Sequence, residues 1–439
     1  MAAYSDLYDY ILTMIETELS PGEKLPGARR FAERFSCALP KVQSVLDSLE
    51  QSGIIFSKER SGSYVRAGYN ERLLPQNVAC SKFLCALTAE QQKEFRHTFP
   101  DMRLTQKFNC GGVEIFSSFR ILSRQQEYED LSEIFPETFP EWENTFYADV
   151  IKSLTVNGKF CSIPLIFSPQ LLWFNPQMFS DTATPLPQNN WTWDEFISAI
   201  RSLHRKFSGR RVINYSTGFQ QWAGFILASG GLFFGEDDPD SVLTDSPATL
   251  KAAARYSNLL RELDLVEDSD NNATQSFASG KLAMFVGFRQ SSYHFKGYGI
   301  NFTPQAVYMP DLGGKVNHLG AALIAFRKGF FNREKIKDIL RFWLSDSIQS
   351  TLSNAGYGVP FLRSAALKTL DKESAPDKYI LKKMPELGLN YNVPSEELGS
   401  ILSRSSHLIN TSDPEMLPEI LKELSSTLRL INKINLQRS

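Results

Sequence analysis

The chain has 439 residues, of which 42% are hydrophobic and 22% charged, and its formal net charge is −2. At roughly 100–200 residues per domain, this length predicts two or three globular domains. The near-neutral net charge excludes a uniformly basic nucleic-acid-binding chain. The five cysteines lack the spacing of metal ligands, which predicts reduced thiols.

The first segment of the chain has the features of neither an export signal nor a membrane span. Residues 1–19 lack a positively charged start, a continuous apolar core and a cleavage site. No run of 18 apolar residues follows. We therefore expect a cytoplasmic protein without a membrane partner.

Three helical segments precede two short strands near the start of the chain. Apolar residues with a period near 3.6 predict helices over residues 6–19, 27–35 and 40–51. Two strands are predicted at residues 54–58 and 63–66. Three helices followed by a two-stranded hairpin predict an α+β winged helix-turn-helix. Charge agrees with this, because residues 24–66 carry eight basic and four acidic side chains.

Spaced motifs carry a family resemblance over residues 5–66. They are Leu25-Pro26, Arg29, Phe31-Ala32-Glu33-Arg34-Phe35, Val42, Leu46-Asp47, Leu49-Glu50, Gly53-Ile54-Ile55 and Gly62-Ser63-Tyr64-Val65. This pattern resembles the GntR-type winged-helix transcription regulators. The resemblance implies a homodimer that places its third helix in the major groove of a double-stranded DNA operator. Leu39 departs from the pattern, because the family has a base-contacting Arg there.

Candidate DNA contacts follow from the polar side chains of this region. Lys41, Gln43 and Ser44 lie near the start of the third helix, where Gln can contact adenine and Lys can contact guanine. Phosphate contacts and the wing are assigned to Arg29, Arg30, Lys58, Arg60 and Gly62. Each charged side chain could instead be an ordinary solvated one, an alternative that applies most to Lys24 and Arg66.

From residue 77 onward, strands and helices alternate. Strands are predicted at residues 78–86, 103–108 and 111–116, with a helix that begins at Thr88. Further helices are predicted at a Thr192-x-x-Glu195 capping box, at Ser246-Pro247 and at Asn332. Alternating elements of this kind predict α/β layers.

A second set of motifs, in a characteristic order, extends over roughly residues 77–435. It comprises Asn157-Gly158-Lys159, Ile163-Pro164-Leu165, Leu172-Trp173-Phe174-Asn175, Trp191-Thr192-Trp193-Asp194-Glu195-Phe196, Leu227-Ala228-Ser229-Gly230-Gly231, Phe277-Ala278-Ser279-Gly280-Lys281, Gly320-Ala321-Ala322 and Ala355-Gly356-Tyr357-Gly358-Val359-Pro360. The set resembles the extracellular solute-binding proteins of family 1, the sugar-binding subunits of ABC importers. The resemblance implies a two-lobed α/β fold of the periplasmic-binding-protein type II, with a hinge and a ligand cleft between the lobes. The short stretch before Val113 implies a trimmed first lobe.

Together, the two resemblances predict the domain organisation. A winged helix-turn-helix is expected at residues 1–68, a linker at 69–76 and a bilobed ligand-sensing domain at 77–439. Lobe 1 is expected at about 77–166 plus 320–365, and lobe 2 at about 168–316 plus 370–435.

A sugar ring has one apolar face and a polar rim, so its site combines aromatic rings with a few hydrogen-bonding groups. Candidates for the ligand site are Arg120, Trp142, Phe167, Ser168, Gln221, Trp222, Phe288, Arg289 and Tyr357. The aromatic residues could instead belong to the core, and the arginines could be solvated or paired with structural carboxylates.

No catalytic motif stands out, and the five histidines are scattered without metal-ligand spacing. We therefore expect neither an enzyme nor a cofactor. The favoured function is a ligand-responsive DNA-binding transcription regulator whose effector is a mono- or oligosaccharide. Two alternatives stay open: a cytosolic sugar-binding module without DNA-binding activity, and an enzyme that acts on a bound sugar.

Overall fold

The computed structural model describes most of the chain. The described residues are 4–59, 61–80, 86–106, 111–155, 158–207, 210–235, 241–263, 272–314, 317–373, 376–382, 387–388 and 395–438. Contact density divides the chain into two compact units. The first comprises Met1–Cys85, Ala89–Ile115 and Phe326–Asn332, and the second comprises Ala86–Thr88, Phe116–Ala325 and Arg333–Ser439.

The first unit begins with three helices and a hairpin. They are α1 (Tyr4–Thr17), α2 (Ala28–Arg34), α3 (Leu39–Gln51), β1 (Ile55–Lys58) and β2 (Gly62–Val65). The apolar stripes of the three helices meet in one buried cluster that includes Leu7, Phe31 and Leu46. The two strands pair antiparallel, with Ile55 opposite Val65. The order predicted for the winged helix-turn-helix is confirmed.

The rest of the first unit includes three parallel strands and two helices. It contains α4 (Tyr69–Leu73), β3 (Asn77–Ala79), α5 (Ala89–Thr98), β4 (Arg103–Thr105) and the first three residues of β5 (Val113–Ser117). Strand β3 lies between β4 and β5 and is parallel to both. Two strands are shorter than predicted: β3 ends at Ala79, and β4 ends at Thr105. Residues 81–85 and 107–110 lie outside the described part of the chain.

The second unit contains two groups of paired strands, the first of which belongs to a seven-stranded sheet. One has β6 (Ser162–Pro169) between β10 (Asn317–Phe326) and β11 (Val359–Pro360), antiparallel to both, while β12 (Leu387–Gly388) is parallel to β10. The other has β7 (Leu171–Phe174) between β8 (Met284–Gly287) and β9 (Gln305–Tyr308), antiparallel to both. Only Gln170 separates β6 from β7, so the chain passes from one sheet to the other at that residue.

Helices pack around these sheets. They are α6 (Ser118–Leu122), α7 (Ile134–Thr138), α8 (Trp142–Thr145), α9 (Ala148–Lys152), α10 (Pro176–Asp181), α11 (Trp193–Lys206), α12 (Phe219–Ala228), α13 (Pro247–Glu262), α14 (Ala273–Ala278), α15 (Ser291–Gly297), α16 (Arg333–Trp343), α17 (Asp346–Asn354), α18 (Arg363–Thr369), α19 (Asp377–Lys382), α20 (Glu396–Thr411) and α21 (Leu417–Arg438). One core of the second unit packs α11, α12, α13, α20 and α21 together with β7.

Helix starts are set by local chemistry that the sequence already shows. The Thr192 hydroxyl accepts the Glu195 amide at 3.3 Å, and the Glu195 carboxylate accepts the Thr192 amide at 2.8 Å. Both predicted bonds of this capping box are therefore present. The Ser246 hydroxyl likewise accepts the Thr249 amide at 3.3 Å at the start of α13.

Candidate DNA-binding and ligand-binding sites

The outward face of α3 is exposed and mostly uncharged. Val42, Val45 and Leu49 face the core of the first unit. The opposite face forms an open depression whose lining residues are Pro40, Gln43, Ser44, Asp47, Ser48 and Gln51. The structure thus leaves one side of the third helix uncovered within the first unit.

The three residues predicted to contact bases lie on α3. Gln43 is exposed, and its Nε2 donates to the Asp47 carboxylate at 2.8 Å, which orients the amide. Ser44 is exposed and Lys41 is half-buried. Leu39, the departure from the family pattern, is 45% exposed at the start of the helix.

The predicted phosphate-contacting residues lie on α2 and the wing. Arg29 and Arg30 are exposed in the first turn of α2. Lys58 is exposed at the end of β1, with its Nζ 4.8 Å from the centre of the Tyr64 ring. Gly62 turns the hairpin with a φ of 103°, a value that favours glycine. Arg60 lies outside the described residues.

Lys24 is a residue that the sequence interpretation left as ordinary solvated charge. It forms an isolated β-bridge with Tyr64, and its Cε lies 3.1 Å from the position that a Cβ at Gly62 would occupy. Because this contact joins residues 40 positions apart, no local pattern could have found it. The structure places a further exposed cation beside the wing.

A half-buried ion pair anchors α1 to strand β4 of the first unit. Arg103 Nη2 donates to Glu16 Oε1 at 2.5 Å, and their side chains are 11% and 4% exposed. Arg103 Nε also donates to the Asn77 side-chain oxygen at 2.8 Å. The winged helix and strands β3 and β4 are therefore held together by charge-assisted hydrogen bonds as well as by the chain.

The buried residues Arg289 and Ser168 connect several segments of the second unit through hydrogen bonds and an ion pair. The Arg289 guanidinium binds the Asp377 carboxylate through two bonds of 2.7 and 2.8 Å, and it also donates to the Gly358 carbonyl at 3.1 Å. The Arg289 amide donates to the Ser168 hydroxyl at 2.9 Å. These bonds join the segment after β8 to the end of β6, to the start of β11 and to α19.

Three of the predicted aromatic residues pack against other rings. Trp222 is fully buried, 5.1 Å from the Phe233 ring centre, and Phe167 is buried edge-to-face with Tyr147 at 5.2 Å. Trp142 is half-buried and lies edge-to-face with Phe135 at 5.8 Å. Trp222 and Trp142 thus pack against other aromatic rings, as expected if they belong to the core. Phe167 is buried in the same way.

The other predicted ligand residues retain some exposure. Arg120, Gln221, Phe288 and Tyr357 are all half-buried. The Arg120 guanidinium lies 4.9 Å above the Phe116 ring. The Phe288 ring lies against Gly320, where an added Cβ would meet it at 2.9 Å.

One aromatic contact brings two of these segments together. Phe119 of α6 and Phe219 of α12 lie edge-to-face with their ring centres 5.8 Å apart. Phe119 adjoins Arg120, and Phe219 precedes Gln221 by two positions. The contact between the two rings therefore places Arg120 and Gln221 in the same region. Sequence reasoning missed both rings, because nothing local pairs residues 100 positions apart.

His318 lies where β10 begins. The ring is buried, and its centre lies 5.9 Å from that of the Phe288 ring. Burial lowers the pKa of His318 from 6.5 to about 4, so the ring is neutral at pH 7 in the folded protein.

Neither a membrane span nor a metal centre is found in the described part of the chain. Among its helices, none is both long and apolar enough to cross a bilayer. No group of three or more His, Cys, Asp or Glu side chains in these ranges is arranged to hold a metal ion.

The fold and the exposed α3 face define a class of protein, in which a winged-helix domain precedes a two-lobed α/β binding-protein fold. The chain belongs to the bacterial extracellular solute-binding protein family, whose model matches residues 119–380, more than half of its length. It also carries a domain of the gntR family of bacterial regulatory proteins at residues 3–65. No curated protein matches the chain.

Solved structures support the assignment of the second fold. The ABC substrate-binding protein Lmo0181 from Listeria monocytogenes, in complex with cycloalternan, is 16% identical with a TM-score of 0.62, and the match covers 81% of this chain and 97% of that one. A solute-binding protein from Thermotoga lettingae bound with α-D-tagatose is 15% identical with a TM-score of 0.63, covering 81% and 98%. Mycobacterium tuberculosis UgpB in complex with glycerophosphocholine is 16% identical with a TM-score of 0.58, covering 82% and 99%.

Proposed function

We propose that this protein is a ligand-responsive DNA-binding transcription regulator of the cytoplasm. The observation that carries the proposal is the union, in one chain, of a gntR-family winged helix and a solute-binding-protein fold. A regulator needs one surface for DNA and one site for a signal, and these two folds supply one of each. The second fold thus serves as a sensor, with neither transport nor catalysis.

The DNA-binding half of the proposal rests on α2, α3 and the wing. The uncovered face of α3 would act as the recognition surface, because the recognition helix of such a domain reads base edges in the major groove. Arg29, Arg30 and Lys58 are exposed cations that would hold phosphates on either side of it. A homodimer would place two such heads on a palindromic operator.

The ligand half of the proposal rests on the half-buried residues of the second unit. Arg120, Gln221, Phe288 and Tyr357 would present hydrogen-bonding groups and rings to a mono- or oligosaccharide. Solved relatives were crystallised with cycloalternan and with tagatose, which favours a carbohydrate. The residues predicted from sequence that are buried or packed on other rings would support the site from behind; these are Trp142, Phe167, Ser168, Trp222 and Arg289.

Ligand would control DNA binding by changing the balance between open and closed arrangements of the two lobes. A ligand shifts such a balance only as far as its affinities for the two states differ. The single-residue passage at Gln170, between β6 and β7, is a natural pivot for this motion. The pivot lies beside the Ser168–Arg289 bond and the His318 carbonyl, which accepts the Gln170 amide at 2.7 Å.

The DNA-binding proposal is tested with the Arg29→Ala/Arg30→Ala double variant and DNA from the region upstream of its own coding sequence. Binding is measured by fluorescence anisotropy at several salt concentrations. Each lost phosphate contact lowers the slope of log affinity against log salt by about 0.9, so we expect the slope to fall by about 2 per head.

The matched control is Arg205→Ala/Arg404→Ala, which removes the same charge from exposed positions of α11 and α20. We expect it to bind DNA as the unmodified protein does. Equal weakening by both double variants would show only an effect of net charge and would count against the assignment of α2. Failure of the unmodified protein to bind any such DNA would end the proposal.

A further inference from the structure

The recognition helix lacks the side chain that most often reads guanine. From Leu39 to Gln51 there is no Arg, and the single Lys is offset by Asp47 and Glu50. That Lys, Lys41, is half-buried. The bidentate contact of arginine with guanine is therefore unavailable from α3, which leaves Lys41, Gln43 and Ser44 as the polar candidates for base recognition near its start.

In place of an arginine, the start of α3 has an apolar tip formed by residues 38–40. Ala38, Leu39 and Pro40 are consecutive, and all three are exposed. Pro40 lies in the first turn and fixes the backbone there, while Ala38 provides no side-chain cap. Leu39 is 45% exposed at the end of the helix that enters the groove. The only apolar group that a base pair presents in the major groove is the thymine methyl group.

Gln43 complements this tip. It lies four residues after Leu39, hence on the same face of α3 and about 6 Å away. Its Nε2 has two hydrogens, and the bond to Asp47 at 2.8 Å uses one of them. The other hydrogen and the amide oxygen can meet N7 and N6 of adenine. Successive base pairs are about 3.4 Å apart, so Leu39 and Gln43 reach positions about two base pairs apart.

We propose that α3 reads an A·T-rich half-site, with Leu39 packed on a thymine methyl group and Gln43 bonded to a nearby adenine. This inference rests on the proposed DNA-binding function and specifies its sequence preference. It makes Leu39 a specificity-determining residue at the exposed start of the recognition helix.

The test begins with selection of binding sites from random duplex DNA by the full-length protein. Each thymine of the selected half-site is then replaced in turn by uracil, which removes the methyl group and leaves every hydrogen bond. We expect a uracil at one position of a single half-site to weaken binding by about fourfold, as loss of one buried methyl group predicts. Leu39→Ala should bind the thymine and uracil sites equally.

The matched control is Leu186→Ala, because Leu186 is also 45% exposed but lies in the second unit. This variant should keep the full thymine preference. Leu39→Arg should shift the selected base from thymine to guanine. Both positions are exposed, so unchanged thermal unfolding of each variant is expected and is checked first.

The outcomes separate this inference from the proposed function. If selection enriches no sequence, DNA recognition itself fails. If a sequence is enriched but no thymine in it is sensitive to uracil, the function stands and the role of Leu39 is wrong. A sensitivity that persists in Leu39→Ala would overturn the inference in the same way.

Discussion

Two charged side chains near the passage from β6 to β7 are almost completely buried. Arg289 and Asp377 are 7% and 6% exposed in their side chains, and each satisfies the other through two hydrogen bonds. Burying such a pair is costly unless the geometry is good and the remaining hydrogens are satisfied. Here the Gly358 carbonyl accepts a third bond from Arg289, which supports the ion pair beyond its two direct bonds. These bonds would hold the residues beside a nearby ligand site in one arrangement.

His318, at the start of β10, makes the stability of the protein depend on pH. Burial holds its pKa at about 4 in the folded chain, against 6.5 when the ring is free. The folded state therefore binds fewer protons, and the stabilisation is complete above pH 6.5 and is lost as pH falls towards 4. At 1.36 kcal/mol for each pKa unit, the loss amounts to about 3 kcal/mol.

We expect His318→Asn to remove this part of the acid sensitivity. The measurement is the midpoint of thermal unfolding between pH 4 and pH 8, compared with the unmodified protein. His97→Asn is the control, because His97 is exposed on α5 and should leave the profile unchanged. Parallel profiles for the His318 variant and the unmodified protein would contradict the burial argument.

At the scale of elements, α1 and β4 are joined by side chains far apart in sequence. Glu16→Ala would leave the half-buried Arg103 side chain without its carboxylate, although the bond to Asn77 would remain. Breaking one partner of a fully buried pair costs about 3–5 kcal/mol, because the remaining charge is uncompensated. We expect a smaller loss here, because Glu16 and Arg103 are half-buried. We expect the contact between α1 and the sheet to loosen, with faster hydrogen exchange in α1.

The measurement is amide hydrogen exchange of residues 4–17 in the full chain. Glu18→Ala is the control, because Glu18 follows on the same segment and is exposed. Equal protection of α1 in both variants would show that the apolar core of the winged helix alone holds it in place. Slower exchange in Glu18→Ala than in Glu16→Ala is the expected order.

At the scale of the whole molecule, control of DNA binding by a sugar would be reciprocal. If a sugar changes affinity for DNA by some factor, DNA must change affinity for the sugar by the same factor. Couplings of this kind are typically about 5–150-fold. We expect equal factors from DNA titrations with saturating sugar and from sugar titrations with saturating DNA.

The sugar for that cycle is found by a thermal-shift screen of mono- and oligosaccharides, since a ligand that binds the folded state raises its melting temperature. Both arms are then measured in one buffer at one salt concentration. A sugar that binds tightly but leaves DNA affinity unchanged would show a sensor fold that is not coupled to the winged helix.

The sequence by itself determined what local chemistry controls. The helices of the winged domain follow from apolar periodicity, and the starts of α11 and α13 follow from side-chain caps within three residues. Both family assignments followed from motifs in order along the chain. These features were predictable because each depends on neighbours in sequence.

Only the tertiary structure decided which side chains face solvent and which long-range partners they meet. Trp222 and Phe167 are aromatic residues in suitable motifs, yet the fold buries both. Arg289 meets Asp377 at a separation of 88 residues, and Arg103 meets Glu16 at a separation of 87. Burial and pairing of this kind depend on how sheets and helices pack in space, and no local pattern of residues encodes that arrangement.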